Sequence, residues 1–475
     1  MMASFIAAVE GTIIGTAMPT IVAQLGDFHL FSWVFGAYLL AQAVSVPIYG
    51  RLCDLYGRKP IFFAGLAVFL VGSTLCGFAH GMISLIIFRA IQGAGAGAVQ
   101  PVAYTIVGDI YSPSERARIQ GVLASVYGIS GVVGPTLGAF LVEHANWSIV
   151  FWINLPIGLI AAAMLALFFR ETVHEQNRRI DYIASLLLMI GCGALMMALI
   201  QASTLPPGLL AACIVVGIAA LAGLIRYERH AESPMLPLKL WTDRVIALGN
   251  LGSFTIGIAM MGVAIFLPTY VQGVMGRTPS AAAIVLGMMP VGWSIASNVS
   301  GRLMLRTSYR AAAVLGSAMF GVGSIVLAVM PASSSAVWPC IGSLLFGFGM
   351  GSCNTTYIIS VQAAARARDR GAAAASNVFM RLVGQSAGAA LFGAMVNTGI
   401  AHYAPQAREV AERLVNQTVR LTLPAPELAH LVSALAGAIH NVYIVVVVLA
   451  VITLLLGAAM PRRLSPRTAS YTVSE

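Results

Sequence analysis

Fourteen apolar runs separated by short polar breaks take up most of this chain of 475 residues, near 3–25, 31–50, 60–79, 83–106, 118–142, 149–169, 182–202, 208–226, 245–270, 280–301, 311–331, 337–361, 372–400 and 437–460. Each is about 18–28 residues long, and at about 1.5 Å per helical residue that length crosses a hydrocarbon core of about 30 Å. Breaks such as "STLPPG" (203–208) and "MPASSSAVWP" (330–339) carry the Pro and Ser that end one helix before the next begins. Composition agrees: 59% of residues are hydrophobic and 9% charged, where an average soluble domain carries about 25% charged residues. The fold class expected is an all-α integral membrane protein with fourteen spanning helices. No basic start with a small-residue cleavage site opens the chain, so the first helix is expected to stay in the mature protein.

The basic residues then set orientation. With the amino terminus inside, 51–59, 116–118, 170–179, 226–244, 302–310, 366–370 and 462–467 are inner segments and hold all but six of the 27 Lys and Arg. Arg277, Arg408, Arg413 and Arg420 fall outside, and Arg89 and Arg381 fall within helices. This bias obeys the positive-inside rule and puts both termini in the cytoplasm. The net charge of +10 is therefore spread as loop charge, two to four residues at a time, and not as a nucleic-acid patch. The six cysteines (53, 76, 192, 213, 340 and 353) form no CxxC pair, which argues against a disulfide framework or a zinc site.

The chain repeats itself. "GRL" at 50–52 returns at 301–303, "ERARIQG" at 115–121 returns as "ARARDRG" at 365–371, and "GAGAG" at 93–97 returns as "GFGMG" at 347–351. Three matches in order at nearly one offset indicate a duplicated six-helix unit. The expected organisation is a six-helix bundle in 1–170, a linker with two extra helices in 171–243, a second six-helix bundle in 244–460 and a tail in 461–475.

Two opposite charges sit inside the first unit. Glu10 lies about nine residues, or roughly 13 Å, into the first helix, and Arg89 about eight residues, or roughly 12 Å, into the fourth from the other side. Ionised groups near the bilayer centre cost about 2.5–3.5 kcal/mol on insertion scales, so they are functional candidates by default. At equal depth they can pair directly or through polar neighbours such as Gln92, and a purely structural ion pair is the alternative reading.

Other groups have more local readings. In "GRLCDLYGRKP" (50–60), Gly50 and Gly57 permit a tight turn, while Asp54 lies within reach of Arg58 and can accept from a helix amino terminus. Gly128, Gly131, Gly134 and Gly138 line one face of the fifth helix, with Pro135 as a bend, and suit a sliding or hinging contact between halves. "GAGAGA" (93–98) has no strand before it and reads as helix packing, not as a dinucleotide loop. The eight histidines fall in loops or at helix ends, so no convergent catalytic cluster supports an enzyme.

"GRLCDLYGRKP" (50–60), "LIIFRAIQGAGAGA" (85–98) and "GISGVVGPTLGAF" (128–140) resemble the loop, fourth-helix and fifth-helix signatures of the major facilitator superfamily. "WINLPIG" (152–158), "LPTYVQ" (267–272) and "GQSAGAALFG" (384–393) are similar to its fourteen-helix drug:proton antiporters. The resemblance implies two six-helix bundles plus two inserted helices, and a proton-coupled antiporter that exports amphipathic organic compounds across a bacterial inner membrane by alternating access. A same-fold importer or uniporter is the alternative, because fold does not fix direction.

By resemblance, Glu10 and Arg89 are the proton-coupling pair, Glu10 standing where the subfamily has Asp. Burial favours the neutral acid and a nearby guanidinium the carboxylate, so a conformational change can load and release a proton. Gly50, Asp54, Gly57 and Arg58 form a conformational latch, with Asp54 meeting the start of the thirteenth helix near Gly371 and Ala372. The second half keeps only "GRLMLRTSYR" (301–310), without the acid. No acid lies within the last six helices, which argues against dicationic substrates.

The candidate substrate cavity takes Gln42 and Asn154 from the first half, and Asn250, Tyr270, Trp293, Asn298, Asn354, Tyr357 and Asn377 from the second. Arg381 is the one deep cation there. Each alone fits an interhelical hydrogen bond or interface anchor, while together they describe an apolar cavity with sparse polar groups. The expected partners are protons, a small organic substrate and the bilayer, with no nucleic acid, cofactor, metal or catalytic residue. The chain is expected to act as a monomer, and a periplasmic adaptor is left open.

Overall fold

The computed structural model describes residues 2–110, 113–168, 182–200, 205–230, 238–331, 335–365, 370–403, 414, 420 and 424–461. All regular structure among them is helical. The first half holds α1 (Met2–Leu25), α2 (Phe31–Tyr56), α3 (Arg58–Gly77), α4 (Met82–Ile110), α5 (Pro113–His144) and α6 (Asn154–Phe168), the last preceded by a helical turn at Ile149–Trp152. Then come α7 (Tyr182–Ile200) and α8 (Pro207–Glu228). The second half holds α9 (Arg244–Thr269), continued by a π-helical turn at Tyr270–Val274, α10 (Pro279–Arg306), α11 (Tyr309–Ala328), α12 (Val337–Ala364), α13 (Arg370–Tyr403) and α14 (Ala425–Ala459).

Among the described residues, eleven of these helices have the length and hydropathy to cross a membrane: α2–α4, α6 and α8–α14. Their outward faces carry exposed Leu, Ile, Val and Phe, such as Leu167 and Phe168 on α6, Val215 and Ile218 on α8 and Leu455 on α14. A belt of that kind suits lipid and would drive association in water.

Within the first half α1 packs on α5 and α4, α4 also on α2 and α3, and α6 on α3 and α1. The second half repeats every one of these contacts: α9 packs on α13 and α12, α12 also on α10 and α11, and α14 on α11 and α9. The repetition reaches single residues. A Cβ on Gly134 or Gly138 of α5 would collide with α1 at Thr12 and Ile13, and one on Gly384 or Gly388 of α13 with α9 at Phe254 and Ile258. Bare backbone at these crossings lets the helices approach closely, which in lipid replaces the hydrophobic drive that water supplies.

Among the described residues the two most extensive seams between the halves are α5 against α10 and α13 against α2. Exchanging the halves turns one seam into the other. The seams differ in cover, since α7 packs on both α2 and α13 while pairing with α8. Leu188 of α7 and Leu224 of α8 share a cluster there with Val44, Phe379 and Leu382.

Some boundaries differ from the sequence expectation. α2 runs on to Tyr56, so Gly50 is helical and not part of a turn; the turn belongs to Gly57 alone, whose φ of 89° suits a residue without Cβ. α14 begins at Ala425, well before 437, because Pro424 and Glu427 supply a helix start ahead of the apolar run. "AREVAERLVNQTV" (407–419), whose apolar spacing is that of a helix lying on the membrane surface, lies outside the described residues except Leu414.

Candidate charge cluster and central seam

Small residues bring the two buried charges together. Gly72 of α3 abuts the backbone of Gln92, and Gly93 of α4 abuts that of Tyr38, so α4 lies close against both α3 and α2. Arg89 and Gln92 are three residues apart on α4 and share a face. Trp152 seats on Gly77 and donates Nε1 to the Thr74 carbonyl at 3.3 Å, while Ser73 donates Oγ to the Phe151 carbonyl at 2.8 Å. These contacts fix the start of α6 over α3 and point Asn154, its first residue, at α1.

The result is a closed polar network. Arg89 Nη1 donates to Glu10 Oε1 in a direct ion pair and to Gln92 Oε1 at 2.6 Å. Its Nε donates to the Val34 carbonyl at 3.4 Å, and the guanidinium stacks 4.0 Å from the centre of the Tyr38 ring. Asn154 Nδ2 donates to Glu10 Oε2 at 2.6 Å and to Ser73 Oγ at 3.0 Å, and Gln92 Nε2 also donates to Ser73 Oγ at 3.0 Å. Glu10 is 0% exposed and Arg89 2%. Charges taken this far out of water are tolerated only when paired and hydrogen-bonded, and here both are.

The network has a direction that matters chemically. Every bond to Glu10 uses the carboxylate as an acceptor, and Ser73 already gives its one hydrogen to Phe151 while accepting two. A proton placed on Glu10 would be a donor facing the donor Asn154 Nδ2 on one side and the guanidinium on the other. As bonded here, the side chain of Glu10 acts only as an acceptor.

The neighbours of Glu10 on α1 face the other half. Gly11, Thr12 and Gly15 line a cavity of about 20 Å³ with Phe35 of α2, Met260, Met261 and Ala264 of α9, and Leu286, Met289 and Pro290 of α10. That volume holds about one water, and Gly11 at its edge is exposed. Among the described residues the second half has no matching charge pair. The glycine contacts equate Val9 with Phe254 and Ile13 with Ile258, which sets Thr255 opposite Glu10, and Thr255 bonds Thr453 at 3.0 Å.

The other sequence candidates are dispersed. Asn154 joins the charge cluster. Asn377 donates to Asn250 Oδ1 at 3.3 Å and to the Gly249 carbonyl at 3.0 Å, tying α13 to α9. Tyr270 and Tyr357 donate to the carbonyls of Met330 and Thr453. Gln42 is buried where α2 crosses Gly97, Trp293 and Asn354 are half-buried, and Asn298 is exposed and bonded back to Ser294. Arg381 is half-buried on α13, where its carbonyl abuts Gly257. None of these ten lines the central cavity. Of the antiporter-motif glycines, Gly131 meets Pro290 of the opposite half, and Gly134 and Gly138 meet α1. Pro135 lies within α5 and its carbonyl accepts from Thr16 at 3.2 Å. The side chain of Asp54, and the surroundings of Gly50, Gly128, Gly371 and Ala372, lie outside what is described; Arg58 opens α3, half-buried. Sequence reasoning missed Tyr38 and Ser73, whose only signal was a polar atom in an apolar helix next to a close-packing glycine.

Residues 1–389 match the family described as the Major Facilitator Superfamily. The chain belongs to the major facilitator superfamily. It is 35% identical over 395 residues to multidrug resistance protein 3 of Bacillus subtilis, covering 81% of this chain and 76% of that one. To the multidrug transporter protein MdtP of the same organism it is 32% identical over 402 residues, covering 84% and 74%. Among solved structures, a bacterial homolog of the human lysosomal transporter Spinster, inward-facing and unoccupied, superposes with a TM-score of 0.68 at 15% identity, over 96% of this chain and 95% of that one. The major facilitator fold and membership make this chain a multi-pass membrane transporter of small molecules, not an enzyme.

Proposed function

We propose that this major facilitator protein is a proton-coupled antiporter that exports amphipathic organic compounds across the cytoplasmic membrane by alternating access. It would span fourteen times, α1, α5 and α7 included, with both termini inside. The observation that carries the coupling is the acceptor-only bonding of Glu10 by Arg89 and Asn154. Protonation from outside disrupts that network on α1, the helix that also lines the seam between halves, and so links proton uptake to their rearrangement. Release of the proton inside restores the ion pair. The multidrug names of the two Bacillus relatives support the substrate class, as does the small cavity between the halves, lined by Met, Phe and Leu with Thr12 as the one polar side chain among its described lining. Methionine-rich walls repack around varied apolar shapes.

The test takes compounds whose toxicity the protein relieves and adds them to everted vesicles holding an imposed proton gradient. An antiporter lets each compound discharge the gradient, in proportion to the protein present. Compounds that are transported while the gradient stands untouched would sink the antiport reading.

A further inference from the structure

The end of the bundle opposite the chain termini carries a second device, built from residues outside the charge cluster. α5 ends at His144, and α10 of the other half begins at Pro279. The first turn of any helix leaves amides without partners. In α10, Pro279 has none to satisfy, Ala281 N donates to Thr278 Oγ1 at 3.2 Å and Ala282 N to the Thr278 carbonyl at 3.1 Å. The remaining amide, Ser280 N, donates to Glu143 Oε1 at 2.9 Å, and Ser280 Oγ donates to Glu143 Oε2 at 2.6 Å. One carboxylate of the first half thus completes the amino terminus of a helix in the second, where the helix dipole also favours negative charge.

The pseudo-symmetric position is occupied as well. The repeat offset near 251 carries Ser280 to His29, just ahead of α2, and carries α5 to α13. Asn397 on α13 donates Nδ2 to the His29 carbonyl at 2.9 Å. Both seams are therefore tied at the same end, one by a charge-assisted two-point contact and the other by a neutral single one. Gln272, 4% exposed in the turn that continues α9, also crosses between the halves, donating to the Thr16 carbonyl of α1 at 3.5 Å.

We infer that Glu143 with Ser280, and Asn397 with His29, are the clasps that hold the halves together at this end, and that Glu143 dominates because its contact is charged and doubled. The clasps must open for the site between the halves to be reached from that side. Glu143 is a positioning residue: it acts through α10 and touches no substrate.

Purified protein in detergent, with the six native cysteines replaced and Gln272→Cys introduced, reports the closure without substrate, proton gradient or known orientation. The readout is the rate of reaction with a soluble maleimide. Glu143→Ala should raise that rate about 3- to 10-fold, Asn397→Ala by less, and the two together by about the product. Glu143→Gln, which keeps an acceptor for Ser280 N and loses the charge, should fall between parent and Glu143→Ala. If Glu143→Ala fails to purify as a single species, Ser280→Ala removes one of the two bonds from the other side and should raise the rate by the smaller factor. Parental rates in Glu143→Ala and the double variant, or in Ser280→Ala where that is the variant measured, overturn the assignment.

Discussion

Replacing Arg89 by Met while Glu10 remains leaves a carboxylate at 0% exposure with only Asn154 to hold it. Breaking a buried pair from one side costs about 3–5 kcal/mol, because the surviving charge stays desolvated. Arg89→Met also removes the bond to Gln92 and the stacking on Tyr38, so the upper part of that range applies. Glu10→Gln leaves the guanidinium with Gln92, Val34 and an amide oxygen at position 10, and the cost falls to the lower part. The double variant has no charge left to desolvate. The amide introduced at position 10 can bond Asn154 and Gln92, and the loss should shrink to about 1–2 kcal/mol. The cycle thus predicts a coupling of at least about 4 kcal/mol between the two positions. For a cooperative unit the size of one half, 1 kcal/mol moves the melting point by about 2–4 °C. Each single variant should therefore lose roughly 6–20 °C in detergent, and the double variant should recover most of it. The assay is thermal unfolding of the four proteins at equal detergent and pH. Losses that add, to within about 0.5 kcal/mol, would show that the two charges are not energetically coupled.

A Cys introduced at Glu412 should react with a membrane-impermeant thiol reagent in intact cells, and one at Glu175 should not; the opposite pattern reverses the orientation. Asp54→Asn should leave insertion intact but depress transport, since loss of one charge-assisted latch contact is worth about 1–3 kcal/mol, a population shift of fivefold or more; normal transport at normal expression removes the latch. Gly131→Val sets a side chain against Pro290 across the α5–α10 seam and should cut export at least about tenfold at unchanged membrane level. Gly11→Ala, which meets nothing within 4 Å, should leave export nearly unchanged, and equal effects of the two would remove the close-approach argument.

What sequence revealed here follows the range of each interaction. Apolar runs fix the helices because lipid forces each one to satisfy its own backbone, and the offsets near 250 reappear as equivalent glycine crossings at Gly134 and Gly384. Matching depth along two helices was enough to bring Glu10 and Arg89 into one argument. That Asn154 completes the carboxylate depends on Trp152 seating against Gly77, a contact between distant segments with no local signature. The scattered polar residues of the second half looked alike in sequence, whereas Asn250, Tyr357 and Asn377 are committed to bonds within that half. A glycine before a charged loop, such as Gly50, looks like a turn, although α2 stays helical to Tyr56. Glu143 left no trace, being an acid at a helix end like any other until α10 is set beside it.

The central claim is that Glu10 carries the coupled proton, and substrate-induced proton release from reconstituted vesicles tests it most directly. Glu10→Gln imitates the protonated acid, so the variant should fold, insert and still bind substrate, yet release no protons when substrate is added. Glu10→Asp, one methylene shorter, should retain part of the wild-type signal. Proton release by Glu10→Gln at the wild-type rate, at equal protein, would show the carboxylate to be structural and the coupling to lie elsewhere.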